Sequence, residues 1–191
     1  MNLFFTKKKN TAIKILFIYN GIFFFAGSML GPLYALYVSK FSIGVLPVSI
    51  SWAVFSAATA IFTYILRWIG DRVKEKEYLL LAGYLLRAIA WFSFIFINSF
   101  SQLIIIQIIF GLGEALGAPA FDALFAEHLD KGKYIKEYAD WRLLSNLVLA
   151  LGTFIGGVIV VRFGFQVLFL VMSILAMIAF FGILMKPRKL L

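Results

Sequence analysis

Six apolar stretches fill most of the chain, and their length decides what it can fold into. They run Ile15 to Val38, Phe41 to Leu66, Tyr78 to Asn98, Gln102 to about Phe125, Leu143 to Val161 and Phe163 to Met185. A helix needs about 20 apolar residues to cross about 30 Å of hydrocarbon, and each stretch is close to that length. The first two carry no charge. Inside hydrocarbon every backbone amide must find its partner within the protein, which leaves helices and closed barrels. A barrel would show alternation in segments of about 10 residues, and these runs are continuous. With 63% hydrophobic and 14% charged residues, against about 25% charged in a soluble domain, the chain reads as an all-α membrane protein with six transmembrane helices.

The basic residues orient it. Lys7, Lys8, Lys9 and Lys14 precede the first span. Arg67, Arg72, Lys74 and Lys76 lie between the second and third, and Lys131, Lys133, Lys136 and Arg142 between the fourth and fifth. Lys186, Arg188 and Lys189 follow the sixth, whereas the opposite side holds Lys40 and Arg162. This bias places both termini in the cytoplasm, in a plasma or inner membrane. The net charge of +9 then reflects loops facing an anionic leaflet rather than nucleic acid. The apolar run after the first lysines is too long for a signal peptide and lacks a small-x-small cleavage site, so it counts as a span. No linker divides the chain, and residues 1–191 form one domain.

Catalytic and metal chemistry find little to work with. Without cysteine there are no disulfides, thiolate nucleophiles or Cys-ligated metals. The single histidine, His128, falls in a loop, so a serine–histidine dyad at membrane depth has no base. No enzymatic activity, metal or cofactor is expected.

Three charges interrupt the spans: Arg87 in the third, Glu114 and Asp122 in the fourth. Each costs about 2.5–3.5 kcal/mol at the centre of a membrane helix unless it faces the bundle or water. Arg87 lies roughly nine residues, or about 14 Å, from the cytoplasmic end of its span, and Glu114 roughly eleven, or about 17 Å. Their depths match, so Arg87 is expected to pair with Glu114, with Asp122 as the second choice. Glu114 and Asp122 are separated by about 80° around a helix and about 12 Å along it, so both can view one cavity. Two readings stand: an ion pair that fixes helix packing, and a substrate or proton site. Asn20, Ser28, Tyr34 and Tyr37 are polar groups in the first span that could line such a cavity or be satisfied core contacts.

The first and fourth spans share a pattern. Gly27 and Gly31 precede Pro32; Gly113 and Gly117 precede Pro119. Cut after the third span, the chain becomes two three-helix repeats of opposite direction, about 12–98 and about 101–186. Interrupted helices at matching positions of two such halves point to a transport site, and glycine pairs also serve close packing. Gly152 and Gly156 form a third pair in the fifth span, where packing is the favoured reading.

The loop Arg67-Trp-Ile-Gly-Asp71-Arg72-Val-Lys74-Glu75-Lys76 resembles the signature G-x-x-x-D-R-x-G-R-K between helices 2 and 3 of the major facilitator superfamily. Asp71, Arg72 and Lys76 match; Arg67 and Lys74 stand where that family has glycines, and Glu75 replaces a basic residue. The fourth span resembles its R-x-x-x-G-x-G-x-A motif at Gln107, Gly111, Gly113 and Ala115, with Gln107 in place of arginine. Gly152, Gly156 and Gly157, then Gly164-Phe165, look like its glycine-rich fifth helix and exit turn.

The resemblance implies one half of a twelve-helix fold, built of two inverted three-helix repeats and able to wall only one side of a central path. A parallel homodimer would complete it, with a site between protomers near mid-membrane and rocking alternating access. Glu114, Asp122, Arg87, Asn20 and Gln107 would contact the substrate or ion. Asp71 and Arg72 would form the loop between halves, Asp71 near the start of the partner's fifth helix. Gly27, Gly31, Pro32, Gly113, Gly117 and Pro119 would serve packing or hinges. The partners expected are a second copy, the lipid bilayer and a small-molecule or ion substrate, and the acidic residues favour a cationic or proton-coupled one. A non-transporting subunit or scaffold, or a half that pairs with a different six-helix chain, is the alternative.

Overall fold

The computed structural model describes residues 11–70, 72–73 and 75–186. Among the described residues the regular elements are all helices: α1 Thr11–Ser28, α2 Leu33–Val38, α3 Val45–Gly70, α4 Glu77–Ser93, α5 Phe100–Glu127 and α6 Tyr134–Leu184. Four of these, α1, α3, α5 and α6, are long and apolar enough to cross a membrane.

Local chemistry sets the boundaries. The expected first span divides into α1 and α2 at Met29–Pro32. Proline has no N–H to return to the carbonyl four residues back, which is that of Ser28. The Thr153 hydroxyl of α6 donates to this carbonyl instead, at 3.3 Å. The expected second span starts later than Phe41, because Gly44 turns the chain at φ 119° before α3 begins. Ser99 caps α5, its hydroxyl accepting the Gln102 N–H at 3.3 Å. The fourth span shows no matching interruption, for α5 runs unbroken through Pro119, which sits on its exposed side. The fifth and sixth spans join in α6, whose 51 residues exceed twice a membrane crossing. Gly164 divides it at φ 84°, ψ 175°, a backbone region open to glycine and few other residues.

α5 lies between α3 and α4; α6 packs on α1 and α4. Lipid tails are as apolar as leucine, so helices associate by close van der Waals contact rather than by the hydrophobic effect. Glycines let the helices approach this closely, as two contacts show. A Cβ on Gly83 of α4 would lie 2.5 Å from the Gly117 Cα of α5. A Cβ on Gly156 of α6 would lie 2.8 Å from the Met29 carbonyl carbon at the α1 break. The arm of α6 beyond Gly164 is fastened to α4 by Ser173, which donates to the Ala88 carbonyl at 3.0 Å.

One side of the bundle stays open. Only 11% of the apolar window of α3 is buried, against 56% for α1. Along α3, Ser49, Ala53, Ser56 and Ala60 are exposed at heptad spacing. Asn146 and Ala150 are exposed on the first arm of α6. Small and weakly polar side chains in such a row suit contact with another helix better than contact with lipid.

Candidate functional site

The Gly83–Gly117 contact places two charges. Arg87 is one helical turn beyond Gly83, and Glu114 lies between Gly113 and Gly117. Arg87 Nη1 donates to Glu114 Oε2, closing the expected ion pair. The guanidinium is further covered by aromatic faces: Phe23 at 4.6 Å, Phe110 at 4.9 Å and Trp91 at 5.5 Å. Trp91 lies four residues after Arg87 and Phe110 four before Glu114, the spacing that puts side chains on one helix face. Glu114 is the more open partner, its side chain 29% exposed against 17% for Arg87. Among the described residues, the buried Arg87 Nε has no hydrogen-bond partner.

The pair borders two cavities. One, of 280 Å³, extends toward the α2 end and includes Tyr34, Trp52, Phe55 and Gln107 in its walls. The other, of 220 Å³, extends toward the Glu127 end of α5 and includes Asn20, Tyr84, Asp122 and Trp141. Arg87, Glu114 and Phe24 line both.

Polar groups around the cavities are largely bonded to one another. Gln107 Nε2 donates to the Tyr34 hydroxyl, which donates to Ser51 Oγ at 2.8 Å. The Ser51 hydroxyl in turn donates to the Val48 carbonyl at 2.9 Å. On the other side, the Tyr84 hydroxyl donates to Asn20 Oδ1 at 2.6 Å.

Five residues named from sequence therefore meet around the cavities: Asn20, Arg87, Gln107, Glu114 and Asp122. Asp122 is exposed and is not in the ion pair. Of the packing candidates, Gly113 and Gly117 face α4, and a Cβ on Gly113 would reach the Arg87 side chain at 2.8 Å. Gly27 meets only ordinary contacts, from 3.6 Å. Gly31 and Pro32 lie exposed in the α1–α2 break. Arg72 is exposed in the turn after α3, while Asp71 falls outside the described residues. That turn is tied to the bundle by an ion pair between Lys76 and Glu127.

Tyr84, Ser51, Gly83 and the rings on Arg87 belong to the site without standing out in the sequence. A small residue one turn from a buried charge was a usable signal for Gly83, and the i, i+4 spacing one for Trp91 and Phe110. Ser51 carried none.

The family model of the Major Facilitator Superfamily matches residues 16–190. YitZ of Bacillus subtilis (strain 168), described as an uncharacterized MFS-type transporter, is 26% identical over 152 residues. The match covers 80% of this chain and 92% of that protein.

Proposed function

The chain belongs to the major facilitator superfamily, and from that premise we propose that it is a secondary-active transporter of small solutes, assembled as a parallel homodimer. The observation that carries this reading is the Arg87–Glu114 pair at the boundary of two cavities that run toward opposite ends of the bundle. A solute passing from one to the other meets this pair. Rocking of one protomer against its partner opens first one cavity and then the other. The site then lies near mid-membrane, with both termini cytoplasmic. Glu114, Asp122, Arg87, Asn20 and Gln107 face the solute or hold the groups that do. That YitZ is described as an MFS-type transporter agrees with transport.

Helix neighbours support the inverted-repeat reading. Treat the two arms of α6 as the fifth and sixth spans. The first span meets the fifth at Gly156 and Met29, as the fourth lies on the second; the third lies on the fourth, as the sixth meets the first at Gly182 and Tyr19.

The open face suggests where the second copy sits. The small-residue row of α3 faces the first arm of the partner's α6, and the two-fold repeats the contact. Ala60 is 15 residues from the start of α3 and Ala150 is 14 from Gly164, so their depths agree to about 2 Å. The chain has no cysteine, so single-cysteine variants are unambiguous. Ala60→Cys and Ala150→Cys copies, carrying different tags and co-expressed, should crosslink in native membranes. A monomeric purified protein with no mixed adduct overturns the homodimer and turns the search to a different six-helix partner. Transport itself is tested by solute uptake into proteoliposomes, which Glu114→Gln should abolish. Unchanged uptake removes Glu114 from the path.

A further inference from the structure

The solute class is narrowed by what the cavities leave available. An anion needs an accessible positive charge. Arg87 is paired with Glu114 and covered by Phe23, Trp91 and Phe110. A neutral polyol needs free donors and acceptors. Gln107 Nε2, the hydroxyls of Tyr34, Ser51 and Tyr84, and Asn20 Oδ1 already spend bonds within the protein, which leaves these walls fewer groups for one. The open groups are of a different kind. Glu114 lines both cavities and is the more exposed member of its pair. Asp122 adds a second carboxylate to the 220 Å³ cavity. Asp122 is exposed and stands outside the Arg87–Glu114 pair. The chain has four tryptophans, and three of them, Trp52, Trp91 and Trp141, line the cavities. Indole is the best of the aromatic faces for a cation, and Trp52 is 56% exposed.

We propose that the solute is a lipophilic organic cation, its charge held near Glu114 and its apolar groups on the faces of Trp52 and Trp141. Carboxylate and ring faces together offset the desolvation of a diffuse cation in a way neither does alone. The inference deepens the transport reading and rests on it only in taking these cavities as the solute path.

The test uses the purified chain in lipid nanodiscs with two probes of one shape and opposite charge, tetraphenylphosphonium and tetraphenylborate. Equilibrium dialysis separates saturable binding from partition into lipid, and tryptophan fluorescence reports contact with the indoles. The phosphonium should bind saturably and quench fluorescence, and the borate should not. Glu114→Gln should weaken phosphonium binding by about tenfold, the effect of losing one charged partner. Trp52→Leu, with the melting temperature measured alongside to show that the fold is kept, should weaken it by about two- to fivefold. Equal saturable binding of the borate, no saturable binding of the phosphonium, or unchanged binding in Trp52→Leu overturns the inference. Uptake of a solute library by proteoliposomes keeps the two readings apart. A chain that carries other solutes and ignores the phosphonium remains a transporter with a different cargo.

Discussion

Gly83 and Gly117 touch each other, yet they should respond differently to the same methyl group. On Gly83 an added Cβ would sit 2.5 Å from Gly117 Cα, 2.6 Å from Gly117 N and 2.8 Å from the Gly113 carbonyl oxygen. All three are backbone atoms and cannot swing aside. Favourable carbon contacts begin near about 3.5 Å, so α4 and α5 must separate by about 1 Å, which forfeits part of the dispersion energy along the contact. Overpacking of this kind costs about 1–3 kcal/mol. On Gly117 the new Cβ would meet Gly83 Cα at 3.4 Å, an ordinary contact. Both substitutions gain about 1 kcal/mol of helix propensity, and this cancels in the comparison. Gly83→Ala should therefore be less stable than Gly117→Ala by about 1–3 kcal/mol. At about 2–4 °C per kcal/mol for a chain of this size, the melting temperatures in detergent should differ by several degrees. Arg87 is one turn from Gly83, so the same separation should also weaken solute binding. Equal melting temperatures, or Gly117→Ala melting lower, would refute the reasoning that backbone contact at Gly83 sets the α4–α5 distance.

Two further perturbations test the polar groups. Arg87→Gln alone leaves Glu114 unpaired and should cost about 3 kcal/mol, the low end for a buried pair whose partners keep some exposure. The double variant Arg87→Gln with Glu114→Gln should recover most of that loss in thermal unfolding, and a double variant as unstable as the single would sink the pairing argument. Thr153→Val removes the donor to the Ser28 carbonyl and should cost about 1 kcal/mol. In a Pro32→Ala background, where a backbone N–H is restored, the same change should cost less; an equal cost in both backgrounds would show that Thr153 does not stand in for the missing proline donor.

Depth could be read from sequence because the helix rise is fixed. Counting residues from the basic loops placed Arg87 and Glu114 at one level, and their ion pair follows that level. Azimuth could not be read the same way. Which face of α4 meets α5 depends on Gly83, whose role appears only when Gly117 is beside it. The ring cage was hidden by composition: with 22 phenylalanines in the chain, Phe23 and Phe110 look like any lipid-facing residues. The two glycine–proline patterns looked alike in sequence and fold differently. Pro32 follows a break whose orphan carbonyl finds a donor in Thr153, whereas Pro119 sits on an exposed helix face and is tolerated there. The start of α3 moved because Gly44 adopts a positive φ, a backbone choice that hydropathy does not register.

The ion pair and the glycine contact do separable jobs. If Arg87 and Glu114 served only to hold α4 on α5, the Gly83–Gly117 approach would already do so. A pair of apolar residues would then pack as well without the cost of desolvating two charges. Yet the pair faces open space on two sides, and Glu114 is the member turned further toward it. A packing device gains nothing from that exposure, whereas a carboxylate that must meet a passing cation requires it. The neutral double variant at positions 87 and 114 makes the distinction measurable. It keeps the glycine contact and removes both charges, so it should fold with near-native stability and fail to take up solute. Uptake at the native rate by that folded variant would return the pair to a purely structural role.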